Sequence, residues 1–291
     1  MEYHGAFLHN GYHLYPGHLN YMERLGACLE NLGVRMDKIP STDLLYLLNE
    51  KGEIKTKDLP YDFIVVVDKD KYILKALESS GIKLFNSAES VELCDDKLLT
   101  FFALSNQGIP MPKTIGIPLN YVNGDASAFL EKAGEKLGYP IVIKTNFGSM
   151  GTGVYLAKNL DELKEIESKL RPSSTLLQEF IPSSKGHDTR VILIGNKVVA
   201  AYKRVSDNGD FRSNIALGGH GERITLAEQT KDLCEKASRI LKLDYCGIDV
   251  LDGPNGPLIC EVNSNAFFAE AEKVTGIDIA ATYAKYIVSK L

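Results

Sequence analysis

Tryptophan is absent from the chain, and cysteine is sparse: Cys28, Cys94, Cys234, Cys246 and Cys260 are the only five among 291 residues. An odd number with no CxxC spacing speaks against a disulfide framework or a structural zinc site. Most of them sit in apolar stretches, where a free thiol packs as a small hydrophobe, so all five are expected to be reduced and structural. Long apolar runs are missing as well. The longest, residues 63–67, is far short of the roughly 20 residues a membrane-spanning helix needs. The N-terminus MEYHGAFLHN has neither a basic start nor a long apolar segment, so a signal peptide and a membrane partner are not expected, and a cytoplasmic location is. Basic residues are not in excess: 33 Lys and Arg face 38 Asp and Glu, for a net charge of −5. Nucleic acid demands clustered cations and is not an expected partner. A local basic cleft is compatible with these totals.

What remains is an ordinary globular composition, 44% hydrophobic and 24% charged, in a length that suits two or three subdomains. The first 95 residues alternate short apolar strands with amphipathic helices. Residues 5–8 and the β-branched run 63–67 read as strands, 19–32 as a helix closed by Gly33, 72–80 as a helix stopped by Gly81, and 83–85 as a short strand. This βαβ rhythm predicts a small open α/β domain. From 96 onward the pattern changes to helices at 96–107, 125–137, 160–170, 228–241 and 279–291, mixed with strands at 141–144, 154–157, 176–180, 190–194 and 198–202. Residues 247–251 and 258–262 read as a β-hairpin. Asn159 followed by Glu162 forms a capping box for the helix at 160–170.

Four segments carry chemistry. In the hairpin, residues two apart face the same way, so Glu261 and Asn263 project together. With Gly253 to Pro257 as the loop, Leu251 pairs with Ile259 and Asp249 falls opposite Glu261. Like charges facing each other across a sheet destabilise it unless a cation lies between. An oxygen-only set of this kind favours Mg²⁺ or Mn²⁺; an exposed hairpin with solvated acids is the alternative. The second segment runs from Lys144, ending an apolar strand, through Gly148, Ser149, Met150, Gly151 and Gly153 into another strand. No helix follows, which excludes both the Walker P-loop and the dinucleotide fingerprint. Such a turn can lay backbone N–H groups over a triphosphate, or be a plain hairpin loop. Third, Gln178-Glu179-Phe180 interrupts an apolar strand before Pro182, as a hinge against an adenine edge or an edge strand. Fourth, Lys203, Arg204, Asp210, Arg212, Ser213 and Asn214 concentrate polar groups, with Arg212 and Asn214 expected on one strand face. Arginine forks suit phosphate and carboxylate oxygens; a solvated basic loop is the alternative. Arg190 opens a very apolar strand.

Lys144, the turn from Phe147 to Val154, Gln178-Glu179-Phe180-Ile181, Asp188-Thr189-Arg190-Val191, the block from Asp210 to Asn214, and the hairpin carrying Asp249, Glu261 and Asn263 stand in an order that resembles the ATP-grasp superfamily. The more specific resemblance is to its RimK-like glutamate ligase branch, from about residue 95 to the C-terminus. It implies an α/β (α+β) fold: an N-terminal open α/β pre-ATP-grasp domain over 1–95, a central ATP-grasp subdomain over 96–181 and a C-terminal one over 182–291. It also implies an ADP-forming ligase that joins a glutamate-like amino acid to a small-molecule or peptide carboxylate through an acyl phosphate, in a branch where homo-oligomers are common. Other ATP-grasp peptide or D-alanine-type ligases, and a non-catalytic ATP-binding regulator, share the motif set.

By that resemblance Lys144, with Lys97, meets the α/β-phosphates of ATP, and the turn of Gly148, Ser149, Met150 and Gly151 covers them. Gln178, Glu179 and Phe180 line the adenine and ribose, with Asp188 on the ribose side. Arg212, Ser213 and Asn214 hold the γ-phosphate, and Arg190 and Arg204 orient a substrate carboxylate. Asp249, Glu261 and Asn263 ligate magnesium. Residues Ser264 to Phe268 depart from the branch's usual pattern beside the acceptor site. Specificity is expected in the N-terminal domain, where the loop His9-Asn10-Gly11-Tyr12-His13 follows the first strand.

Overall fold

The computed structural model describes residues 3–122, 124–149, 151–215 and 218–291. The N-terminal part contains β1 (His4–His9), α1 (Pro16–Glu30), β2 (Arg35–Pro40), β3 (Tyr46–Leu48), β4 (Ile54–Thr56), β5 (Phe63–Val66), α2 (Lys71–Ser79) and β6 (Lys83–Phe85). Four of the strands form a parallel sheet in the order β2-β1-β5-β6. β5 is buried along its whole length, as its uninterrupted apolar run requires of a central parallel strand. Pro16 starts α1 with its φ already set, and Asp70 caps α2 by accepting from the Tyr72 and Ile73 amides. The chain leaves β1 first toward β2 and later returns on the other side as β5. The loops after β1 and β5 therefore diverge, and a crevice opens between them.

Two short helices follow, α3 (Ala88–Asp95) and α4 (Lys97–Leu104), where the pattern predicted a single helix from 96. Asp96 separates them: its side chain accepts from the Leu98 and Leu99 amides and so caps α4. A small lobe comes next, with β7 (Thr114–Gly116), α5 (Ser127–Leu137), β8 (Ile141–Thr145), β9 (Val154–Ala157), α6 (Leu160–Leu170) and β10 (Thr175–Glu179). Its antiparallel sheet has the order β7-β10-β8-β9. Asn159 caps α6 through the Glu162 amide at 2.9 Å. Glu162, however, reaches back to the amide of Lys158 rather than to that of Asn159. The lobe has its own core of Leu130, Ile141, Ile143, Ala157, Leu163 and Leu177.

The remainder comprises β11 (His187–Ile194), β12 (Lys197–Ser206), β13 (Gly219–Arg223), α7 (Glu228–Ile240), β14 (Tyr245–Gly253), β15 (Gly256–Asn263), α8 (Ala269–Thr275) and α9 (Ile279–Lys290). Its five-stranded antiparallel sheet runs β13-β12-β11-β14-β15. One face, with Val191, Leu193, Ile248 and Val262, packs on Leu233 and Ala237 of α7, and Leu104 and Ile109 join the same core. The other face is divided. Its apolar half, with Ile192, Tyr202 and Tyr245, merges with Phe7, Phe63 and Phe85 of the N-terminal sheet and Tyr21 of α1 into one core. Asn86 fastens this junction, donating to the Tyr245 and Ser264 carbonyls and accepting from the Asp244 and Tyr245 amides.

Residues 210–214 do not form the strand expected of them. The Asp210 carboxylate accepts from the Arg212 amide at 2.9 Å, and the Asn208 side chain accepts from the Asp210 amide. These local turns compete with a strand ladder and leave the segment as a loop between β12 and β13. All five cysteines are free thiols, and among the described residues no helix is long and apolar enough to cross a membrane.

Because the lobe of β7 to β10 keeps a separate core, its stability should be locally encoded. Leu177→Ala is expected to cost about 2–5 kcal/mol. Hydrogen exchange should show amide protection falling in α5 and α6 while β11 and β14 keep theirs.

Candidate active site

The polar half of the five-stranded sheet carries a row of charges set by strand pairing. Arg190 faces Asp249 across β11 and β14, and Asp188 faces Arg204 across β11 and β12. Being two apart, Asp188 and Arg190 lie on one face of β11. Asp249 accepts from Arg190 through both carboxylate oxygens, the longer contact being 3.0 Å. Arg204 donates from Nε to Asp188 at 2.7 Å, also reaches that carboxylate through Nη2, and extends the same Nη2 to Asp249 at 2.9 Å. The result is a buried lattice of two arginines and two aspartates. Burial alone would raise the Asp249 pKa, but Arg190 and then Arg204 hold it below its ordinary 3.8. Burial opposes the charge of Arg204, yet Asp249 and Asp188 raise its pKa well above the usual value. Gly247 leaves room for this packing, since a Cβ there would stand 3.0 Å from Arg190 Nη1 and 2.6 Å from the Ala266 methyl.

Asp249 also lies opposite Glu261, as the sequence suggests, but by a different register. Leu251 pairs with Leu258 and Val250 with Ile259, and a β-bulge at Cys260 restores the Asp249–Glu261 pairing. Without the bulge Ile259, Glu261 and Asn263 would share one face. With it, Ile259 and Val262 enter the core while Glu261 and Asn263 turn to the polar side.

The small lobe meets this row through its glycine turn. Buried Lys97 donates from Nζ to the Gly148 carbonyl at 3.1 Å and lies 3.7 Å from Glu261. Lys144, also buried, donates to Gln178 at 2.7 Å and to the bulged Cys260 thiol at 3.4 Å. Arg212 is gripped by Asp210 through Nε and Nη2 and donates from Nη1 to the Gly151 carbonyl at 3.0 Å and the Val154 carbonyl at 3.3 Å. It thus spans from the loop after β12 to the glycine turn. On the far side Glu179 accepts from the Lys113 amide at 2.8 Å, and Phe180 stands edge-on to Phe211.

A cavity of about 840 Å³ opens over the charged row. Ser149, Arg190, Arg204, Asn214, Asp249, Glu261 and Asn263 line its near end. Its far end is built from the N-terminal loops that follow β1 and β5, together with Asn265 and Phe267. The cavity thus gathers one part of the expected site. Lys97, Lys144, Gly148, Gly151, Gln178, Glu179, Phe180, Asp188, Arg212 and Ser213 lie outside its lining, and Met150 lies outside the described residues.

A model of the RimK-like ATP-grasp domain matches residues 94–287. The chain belongs to the RimK-like ATP-grasp family. Human N-acetylaspartylglutamate synthase A is 35% identical over 226 residues, covering 77% of this chain and 57% of that protein. Beta-citrylglutamate synthase B of Danio rerio is 34% identical, covering 77% and 55%. The ribosomal protein bS6--L-glutamate ligase of Salmonella newport (strain SL254) is 35% identical over 216 residues, covering 74% and 70%. The matched region spans little more than half the length of the two synthases. In fold, the chain is similar to a RimK-domain ATP-grasp protein from Sphaerobacter thermophilus, with TM-score 0.74 at 18% identity over 97% of this chain and 98% of that one. A D-alanine--D-alanine ligase from Bacillus anthracis complexed with ATP gives TM-score 0.72 at 20% identity, over 99% and 96%.

Within this RimK-like ATP-grasp chain, sequence reasoning named the near end of the cavity but missed most of the far end. Of the loop singled out after β1, Asn10 and His13 line the cavity, whereas Tyr12 is 90% exposed. Tyr15, Asp68 and Lys69 were not singled out. The available signal was topological: Asp68 and Lys69 directly follow the apolar run of β5, at the carboxyl edge where open parallel sheets bind ligands.

The lattice sets a stability expectation. Asp249→Ala leaves Arg190 and Arg204 without a shared counter-charge and should destabilise the fold by about 3–5 kcal/mol in denaturant titrations. Since folding depresses the Asp249 pKa, its contribution is complete above the ordinary 3.8 and is lost as pH falls through the lower folded value. Asp249→Asn should therefore show a flatter loss of stability than the native chain as pH falls below 3.8.

Proposed function

We propose that this protein is an ATP-dependent ligase that joins the amine of an amino acid to a carboxylate through an acyl phosphate, releasing ADP and phosphate. The observation that carries this reading is the row of Asp249, Glu261 and Asn263, backed by buried Arg190 and Arg204 and opening on a cavity that also holds Ser149 of the glycine turn. Glutamate stands in the names of all three relatives above, which supports an amino acid as the amine substrate.

Two observations fit a bound nucleotide and divalent ion. The donors are all oxygen, and Asp249 is held ionised by its arginines. Asn146 Oδ1 and Ser264 Oγ, at the ends of the glycine-turn strand and of the Asn263 strand, are buried without a protein partner. Asp249, Glu261 and Asn263 would hold the ion, which when bound neutralises polyphosphate charge. Lys144 and Lys97 supply fixed positive charge on either side of the glycine turn for the α/β-phosphates. Gln178, Glu179 and Phe180 lie on the adenine side. Arg212, with Ser213 and Asn214 beside it, positions the turn and the γ-phosphate.

Arg190 and Arg204 orient the substrate carboxylate, whose oxygen attacks the γ-phosphorus as the bond to ADP breaks. The amine nitrogen then attacks the acyl carbon, gives up a proton, and phosphate departs with the bonding pair. No side-chain nucleophile enters. Positioning and charge stabilisation carry the reaction, and the glycine turn keeps water from the acyl phosphate. Five free thiols and reliance on ATP fit a cytoplasmic setting.

ADP release should require both a carboxylate and an amine, with amide formation seen by mass spectrometry. Glu261→Gln should lower kcat by about a hundredfold or more with an unchanged melting profile. Nucleotide binding with no amine-dependent turnover for any pair would sink the ligase reading. Arg212→Ala should reduce kcat more than it raises KM for ATP; a pure KM effect would confine Arg212 to ground-state binding.

A further inference from the structure

The two ends of the cavity differ in charge. Among its described lining residues the lysines and arginines are Lys69, Arg190 and Arg204. Each already has an acid: Lys69 meets Asp95 at 3.0 Å, and the arginines meet Asp249 and Asp188. The far end instead presents a carboxylate with few partners. Asp68 is 8% exposed and accepts from the Lys69 amide at 2.6 Å and, at the limit of hydrogen bonding, from Asn10 at 3.5 Å. A carboxylate has about four acceptor sites, and burying one so thinly satisfied is costly unless a cation joins it. Glu270, at the same cavity, is paired with Lys273 at 3.4 Å, so Asp68 is the thinly partnered acid of this end.

The wall beside Asp68 is aromatic. His13 stands edge-on to Tyr15 at 4.1 Å between ring centres, and His18 edge-on to Phe267 at 5.0 Å. The first turn of α1 is pressed onto Phe267 so closely that a Cβ on Gly17 would come within 2.8 Å of the ring. Burial lowers the His18 pKa, with Asp68 acting in the opposite sense, so the imidazole contributes an uncharged aromatic surface at neutral pH. Ring faces attract ammonium groups and favour apolar neighbours.

We propose that this far end is the subsite of the amine substrate, that Asp68 recognises its ammonium, and that the aromatic wall takes an apolar or aromatic group next to it. Arg190 and Arg204 serve the near end and Lys69 is paired with Asp95, so a polyanion at the far end meets Asp68 with no unpartnered lysine or arginine beside it among the described lining residues. The inference rests on the ligase reading for the word substrate. It selects an amine with an apolar side chain over the acidic one of glutamate. Asp68 is a specificity residue, placed at the crevice between the β1 and β5 loops where the parallel sheet directs a ligand.

Saturation-transfer NMR on the full chain at neutral pH tests this without turnover, with 2-phenylethylammonium, 3-phenylpropionate and citrate as probes. The ammonium should bind, neither anion should displace it, and Asp68→Asn should weaken it by about tenfold or more. Displacement of the ammonium from the native chain by 3-phenylpropionate or citrate would overturn the proposal and needs no variant to fold. So would ammonium binding that survives Asp68→Asn unchanged. A chain that binds the ammonium but never releases ADP would remove the ligase reading alone, and amide formation with a polyanion through an unaffected Asp68 variant would remove this one alone.

Discussion

The pairing of Arg190 and Arg204 with Asp249 and Asp188 is the interaction on which the site depends. Two guanidinium groups and two carboxylates are largely buried on one face of one sheet, each held by at least one partner on an adjacent strand. Such a set adds little net stability compared with an apolar core of the same volume, because desolvation offsets most of the attraction. What it provides is a carboxylate that stays ionised while buried and arginines that cannot swing away. The proposed triphosphate site would need charges fixed before the ligand arrives. The strand ladder fixes them, so backbone pairing and electrostatics are here the same constraint.

The cores divide the molecule in a way that suits this chemistry. The N-terminal sheet and the polar-faced C-terminal sheet share one apolar cluster, so the two ends of the cavity belong to a single packed body. The lobe that carries the glycine turn has a core of its own. It touches the charged row through Lys97, Lys144 and Arg212, contacts that are polar and therefore cheaper to remake than buried apolar ones. The N-terminal loops and the charged row thus rest on one core, and the glycine turn rests on another.

Much of this was legible in the chain because it is local. The βαβ rhythm, the capped helix after Asn159 and the facing of Asp249 and Glu261 follow from short-range patterns of period 2 and 3.6. The glycine turn between two strands was likewise visible. The arginine–aspartate pairing was not, since Arg190 and Asp249 are 59 residues apart and only the sheet order makes them neighbours. The loop at 210–214 escaped because its Asp and Asn side chains outcompeted the ladder that alternation suggested. The far end of the cavity escaped for a third reason: Asp68 and His18 acquire meaning only when the loops after β1 and β5 are placed against Phe267.

The bulge at Cys260 has a consequence for how this sequence tolerates change. Strand side chains follow an odd–even rule, and the extra residue shifts β15 from one parity to the other between Ile259 and Glu261. Removing Cys260 alone would restore plain alternation and leave Ile259 and Val262 inward with Glu261 and Asn263 outward. Flattening the bulge with every residue retained would instead put Ile259 on the same side of the sheet as Glu261 and Asn263. The irregularity of this strand is thus as much a part of the site as the identity of its residues, because it lets an odd spacing separate a core residue from a polar one.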